Sequence, residues 1–286
     1  MKFKYLLPGK KNQGPAPPFD TTPPEVVFAS ISPFQITLSF TISWLGEDLA
    51  PEGLTPAGID GFQLRYSEDK ENWNYWPSET EYIKETQFSF TGEDEKIYYF
   101  QVKAKDKAGN ESQWQEVSTK ISLVRNLKIN EVCVGIDKAS NEFIEIYNPT
   151  DFPINLSNTN FKLKLVNSSN KVTTKKISWI NTIIPGKGYF LFGAGTLPIP
   201  ADATYGGELM TGNSGVIITD KNDIIIDKVG WGSPPPSNAV EGEGINVTLK
   251  TGQSIERKEI ALDTDNNSFD FILKEIPTPQ NSSYTS

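Results

Sequence analysis

The sequence predicts an all-β protein, arranged as two tandem antiparallel β-sandwiches. Three observations lead there. From Glu25 onward, short segments rich in Val, Ile, Phe, Tyr and Thr recur between Gly, Asn, Asp and Pro, a spacing that belongs to antiparallel sheet. The clearest segment alternates strictly. Tyr98, Phe100, Val102 and Ala104 fall on one face, and Gln101, Lys103 and Lys105 on the other, which makes a strand with one dry and one wet side. No stretch carries a convincing amphipathic-helix period, and 241–251 is too rich in Gly for a helix. At 286 residues, the length accommodates one large domain or two ordinary ones.

The elements follow in chain order. Residues 1–19 read as a Pro/Gly-rich leader, because Pro cannot supply strand donors. The first half then offers strands at 26–31, 36–44, 61–67, 87–90, 98–106 and 115–123. In 36–44, Ile36, Leu38, Phe40 and Ile42 alternate with Thr37, Ser39, Thr41 and Ser43. The long connection 45–58, with two Pro and three Gly, reads as a projecting loop. The second half offers strands at 127–134, 142–148, 160–166, 175–180, 188–192, 215–219, 224–230 and 253–258, and residues 279–286 form a tail.

Two resemblances attach to these blocks. Asp20-Thr-Thr-Pro-Pro24, a strand ending at Trp44, the run Gly58 to Tyr66, Phe90-Thr-Gly92 and Tyr98 through Ala-Gly-Asn-Glu-Ser112 resemble the bacterial form of the fibronectin type III domain over 20–124. That resemblance implies that Trp44 is the core tryptophan and Tyr98 the corner tyrosine. Ile129-Asn-Glu-Val132, Glu142 to Pro149, Ile184-Pro-Gly-Lys-Gly-Tyr-Phe-Leu191, Asn213 to Asp220, Asp227-Lys-Val-Gly-Trp231 and Ser254-Ile-Glu-Arg-Lys258 resemble the lamin tail domain over 125–278. Both resemblances imply immunoglobulin-like sandwiches, and the second implies a binding or structural module. No heptad rod precedes it, so the chain is not read as a nuclear lamin.

Composition removes whole classes of function. With 27 Lys+Arg against 36 Asp+Glu, the net charge of −9 makes duplex nucleic acid an improbable main partner. Without His there is no Ser-His-Asp triad, no Cys-His pair and no zinc site of the Cys/His type. Cys133 alone makes no intrachain disulfide, and burial beside Glu131 argues against a reactive thiol. No run of 18 apolar residues is present to form a membrane span. The apolar piece Tyr5-Leu6-Leu7 is too short for a signal peptide, which leaves a cytoplasmic chain or a piece of a longer exported one.

The candidate residues each carry two readings. Glu131 and Glu145 sit among apolar neighbours on their strands and need partners, with Arg257 the natural one. The pair either does acid/base or metal work, or is a structural ion pair; the scarcity of catalytic pairs in sandwich modules favours structure. Asp263, Asp265 and Asn267 place oxygens at alternate positions, like the start of a calcium loop, but the Gly and Glu of the full pattern are missing. Asp106 and Asn110, with Asp20, form another oxygen-rich set, and turn chemistry is the favoured reading of both sets, because Asp and Asn suit tight turns. Trp73, Tyr75, Trp76 and Tyr82 crowd one region, where exposed rings would stack on sugars and buried ones would cover the sandwich edge.

The expected function is a non-enzymatic extracellular or cell-surface module, structural and adhesive, binding protein or polysaccharide through sandwich loops or edges. It needs no cofactor, with calcium the one ion considered. The alternative is the accessory targeting region of an exported hydrolase or nuclease whose catalytic domain lies elsewhere.

Overall fold

A computed structural model describes residues 20–284 apart from Pro51, Asn160 and Glu208; the expected leader at 1–19 lies outside the described residues. The chain divides into two compact units. The first runs to Lys120 apart from 35–38 and 93–95, and the second takes those two short pieces and everything from Ile121 onward.

The first unit contains β1 (Glu25–Phe28), β2 (Phe34–Gln35), β3 (Ser39–Glu47), β4 (Ile59–Ser67), β5 (Asn74–Trp76), β6 (Gln87–Thr91), β7 (Ile97–Asp106) and β8 (Gln115–Ile121). They form a sheet in the order β1-β3-β6 and a second in the order β2-β8-β7-β4-β5. The alternation expected for β7 places Tyr98, Phe100, Val102 and Ala104 inside, all at most 3% exposed. Val102 and Ala104 meet Trp44, Phe62, Leu64 and Val26 from the other strands, with Trp44 and Phe62 edge-on at 6.1 Å, while Tyr98 and Phe100 pack on Phe90. Gly46 stands opposite Val26 because the Phe62 ring occupies the space that a Cβ would fill. The expected strand 36–44 starts later. Phe34–Gln35 joins one sheet and Ser39–Glu47 the other, so the chain switches sheets between them and Ile36 is left exposed.

The connection after β3 is tied at its base. Asp48 accepts a hydrogen bond from the Gly58 amide at 2.5 Å, and Asp20 accepts one from the Ala57 amide at 3.0 Å.

The second unit contains β9 (Lys128–Cys133), β10 (Phe143–Tyr147), β11 (Ile154–Asn155), β12 (Lys162–Asn167), β13 (Val172–Thr174), β14 (Ile177–Trp179), β15 (Ile183–Ile184), β16 (Tyr189–Gly193), β17 (Ala203–Tyr205), β18 (Ser214–Thr219), β19 (Ile225–Trp231), β20 (Ser254–Arg257) and β21 (Phe271–Lys274). Seven strands run in the order β14-β17-β16-β10-β9-β20-β21, four in the order β13-β12-β18-β19, and β11 pairs with β15. Between the sheets lies a large apolar core that includes Leu127, Ile129, Ile144, Phe190, Phe192, Ile218 and Trp231. Gly215 is required where the turn at Ser237–Ala239 packs on β18, since a Cβ there would meet the Ala239 side chain. One single-turn helix, Asn267–Asp270, precedes β21.

Candidate functional site

On β4 and β7 the residues between the core positions face outward. Arg65 pairs in register with Gln101, and Tyr75 on β5 lies opposite Arg65. Arg65 gives its Nε and Nη2 donors to the Gln101 side-chain oxygen at 2.9 and 2.6 Å, and an Nη1 donor to the Tyr75 hydroxyl at 2.8 Å. The guanidinium carbon lies 4.6 Å from the Trp73 ring centre, 4.2 Å from Trp114 and 5.5 Å from Tyr75. The pattern continues along the sheet. The Lys103 ammonium lies 5.2 Å from Trp114 and 5.6 Å from Tyr82, and Lys105 lies 5.3 Å from Tyr82. Cations and rings thus interleave over one sheet face, each contact worth about 0.5–2 kcal/mol. Trp73, Tyr75, Tyr82 and Trp114 are all partly exposed. At the end of this strip Glu111 accepts from Lys103 at 2.6 Å and from the Tyr82 hydroxyl at 2.5 Å, and these two donors hold its carboxyl below the usual range.

The expected ring cluster is therefore split. Trp73 and Tyr75 belong to the outer face, but Trp76 points the other way, packing 4.4 Å from Phe88 against the core. Its position on β5, next to Tyr75, forces this, because successive strand residues face opposite sides. Trp114, separated from Trp73 by 40 residues of sequence, is the ring that sequence proximity alone misses.

Glu131 and Glu145 lie directly opposite each other on β9 and β10 and are at most 1% exposed. Arg257 is not their partner. Register pairs Glu256 with Glu131, so Arg257 projects from the opposite face of the sheet. There its Nη2 meets Asp227 at 2.7 Å, its Nη1 lies 3.5 Å from Asp270, and its Nε bonds the Ile129 carbonyl at 2.8 Å. Glu131 accepts instead from the Ser254 hydroxyl at 2.5 Å and the Thr278 amide at 3.1 Å. Glu145 accepts from the Asn130 amide at 2.7 Å and the Gln280 amide at 2.5 Å. Burial pushes the Glu145 carboxyl up to about 8 and also raises Glu131. Sealed from water, with protein donors on all four oxygens, the pair presents no open oxygen to a substrate. Cys133 is buried beside it, and burial pushes its thiol up to about 12.

The two oxygen-rich sets differ. Asp263, Asp265 and Asn267 do not converge. Asp263 pairs with Lys128, while the Asn267 side chain is buried and bonded to the amides of Gly230 and Glu241 and the carbonyl of Lys228. Local bonding to strand backbone has taken the oxygen that an alternate-position pattern assigns to a loop. Asp106 does meet Asp20, and Asp48 joins them, with one carboxylate oxygen of each within 4.8 Å of the others. Their oxygens are the donor type of a hard cation. Asn110 acts as a clamp there: it gives its backbone and side-chain N–H groups to Asp106 at 2.8 and 2.7 Å. Asp48 is the member that sequence reasoning did not supply, since it lies in the connection just after β3, far in sequence from Asp106.

Comparison with known proteins finds a family match largely within the second half of the chain. The Lamin Tail Domain family model matches residues 120–233, which span β9 to β19. No curated protein matches the chain. Among solved structures, it is similar to the chitinase ChiA74 from Bacillus thuringiensis at 20% identity and a TM-score of 0.26, covering 72% of this chain. The chain spans only 30% of the length of that chitinase. It is also similar to three N-terminal domains of the Highly Immunogenic Outer Capsid protein of bacteriophage RB49, at 10% identity and a TM-score of 0.26, covering 72% of this chain and 67% of that one. The chicken CNTN1 FN1–FN3 domains match at 13% identity and a TM-score of 0.22, covering 87% of this chain and 94% of that one.

Proposed function

We propose that this chain is a non-enzymatic structural and adhesive module that works outside the cell or at its surface, and that its ligand docks on the outer face of the β2-β8-β7-β4-β5 sheet. The observation that carries this reading is the partly exposed strip of Trp73, Tyr75, Trp114 and Tyr82 around Arg65, Lys103 and Lys105. The wet face of an antiparallel sheet is ordinarily polar, so aromatic area gathered there marks a contact surface. Aromatic and Arg side chains are also the residues that dominate binding energy where partners meet. As the accessory region of an exported hydrolase or nuclease, the chain would use the same face to bring its neighbour to a polymer.

The test is sedimentation of the labelled chain with envelope material from its source cells. Saturable binding that falls about tenfold or more in a Trp73→Ala, Trp114→Ala double variant supports the reading. Equal binding by the double variant would move the ligand to another surface.

A further inference from the structure

The chain has three arginines. Arg125 pairs with Asp220 at 3.1 Å and Arg257 with Asp227 at 2.7 Å. Arg65 alone has no carboxylate at ion-pair distance among the described residues; its hydrogen-bond partners, Gln101 and Tyr75, are both neutral. A guanidinium has five N–H donors. Three are taken here, which leaves two.

From this we infer that Arg65 is the receptor for a sugar carboxylate, and that the ligand of the strip is a uronate-bearing polysaccharide. The proposal rests on the outer face being the ligand face. Trp73 and Trp114 lie within 4.6 Å of the guanidinium carbon and shield it from water. A weakly hydrated, preorganised planar cation gives up little on binding an anion, and two free N–H groups match the two oxygens of a carboxylate. A further cation, Lys105, stands along the strip with no carboxylate at ion-pair distance among the described residues, although Asp60 and Glu111 lie near enough to feel its charge. The partly exposed rings beside Arg65 provide flat apolar area of the kind on which the C–H face of a pyranose lies. A peptide of acidic side chains alone, such as polyglutamate, would use the cation but offer little apolar area to the rings, so the glycan accounts for more of the surface. In a molecule of net charge −9, attraction of a polyanion has to come from this local strip.

The test uses the whole chain in affinity electrophoresis against polygalacturonate, its methyl ester, neutral dextran and polyglutamate. The expected result is retardation by polygalacturonate, at least tenfold weaker for the ester and absent for dextran. Arg65→Lys keeps the charge and the packed stem but loses the fork, and should weaken retardation at least fivefold with the urea midpoint preserved. Equal affinity for acid and ester, an unaffected Arg65→Lys variant, tighter binding to polyglutamate, or no retardation by polygalacturonate would each overturn the proposal. The outer-face reading is judged separately: it survives any of these results if the double tryptophan variant still loses envelope binding, and fails if that variant binds normally.

Discussion

Arg257 shows how much one buried side chain holds together. Its guanidinium is sealed from solvent with Asp227 and Asp270 on either side, and it also caps the Ile129 and Leu262 carbonyls, joining β9, β19 and β20 to the turn before β21. Such a pair gains little against an apolar replacement of all its members, but removing one member strands the others. Arg257→Met should therefore cost about 3–5 kcal/mol in urea unfolding, the range for breaking a buried pair. A loss under 1 kcal/mol would mean that water reaches Asp227 and Asp270. Glu145 makes the opposite kind of prediction. Burial raises it to about 8, and raises Glu142 to about 7. Between the ordinary carboxylate range and pH 8, the folded chain holds protons that the unfolded chain has released. The stabilisation from these groups is thus complete below about pH 4.5 and lost as pH rises through 7 and 8. Urea midpoints should fall from pH 5 to pH 9, and Glu145→Gln should flatten that slope whatever its absolute stability. An unchanged slope would show that Glu145 titrates normally.

At the scale of elements, the segment after β21 behaves as a strap, not as a loose tail. Thr278, Gln280 and Ser282 donate in turn to Glu131, Glu145 and Asp202, and Tyr284 meets Tyr189 edge-on at 5.6 Å. Pro277 and Pro279 lack an N–H and favour extended backbone, so over 277–280 the backbone donors fall at Thr278 and Gln280, where Glu131 and Glu145 accept them. Truncation after Ile276 should cost on the order of 3 kcal/mol, three hydrogen bonds at about 1 kcal/mol each, and should flatten the pH slope as water reaches Glu145. A truncated chain with unchanged stability and slope would show that the strap is ornamental. The strand pattern made the need for partners at Glu131 and Glu145 legible, because charged residues on a dry face demand them. It did not reveal which partners, since the choice between Arg257 and Ser254 depends on the register between β9 and β20, and one residue of slip reverses the face. The alternation of β7 was legible for the same reason that the pairing was not: period two is local and register is not. The separation of Tyr75 from Trp76 was readable only once 74–76 was known to be a strand. The arrival of Trp114 beside Arg65 depends on β8 lying next to β7, a pairing that no local motif encodes.

For the molecule as a whole, the two units are unequally provided. The second has an extended core from Leu123 to Phe271, with Trp231 fully buried. The first is smaller and relies on Trp44, Phe62 and a group of rings around Phe90, with Tyr66, Tyr98 and Phe100 each within about 5 Å of it. Stabilisation grows with apolar area removed from water, and smaller domains bury a smaller fraction of their surface. The first unit should therefore unfold at lower urea than the second. The tryptophans make this visible: Trp44, Trp73, Trp76 and Trp114 report on the first unit, Trp179 and Trp231 on the second. Fluorescence should change mainly in an early transition, while far-ultraviolet circular dichroism retains a β signal until a later one. A Trp231→Phe variant should lose fluorescence amplitude only from the later transition. Coincident transitions by both probes would show instead that the chain unfolds as one cooperative body. The same curves locate the ligand, because whatever binds only the folded form of one unit stabilises that unit alone. Polygalacturonate should move the early transition to higher urea and leave the late one in place. A shift confined to the late transition would assign the polysaccharide to the second unit and take it away from Arg65.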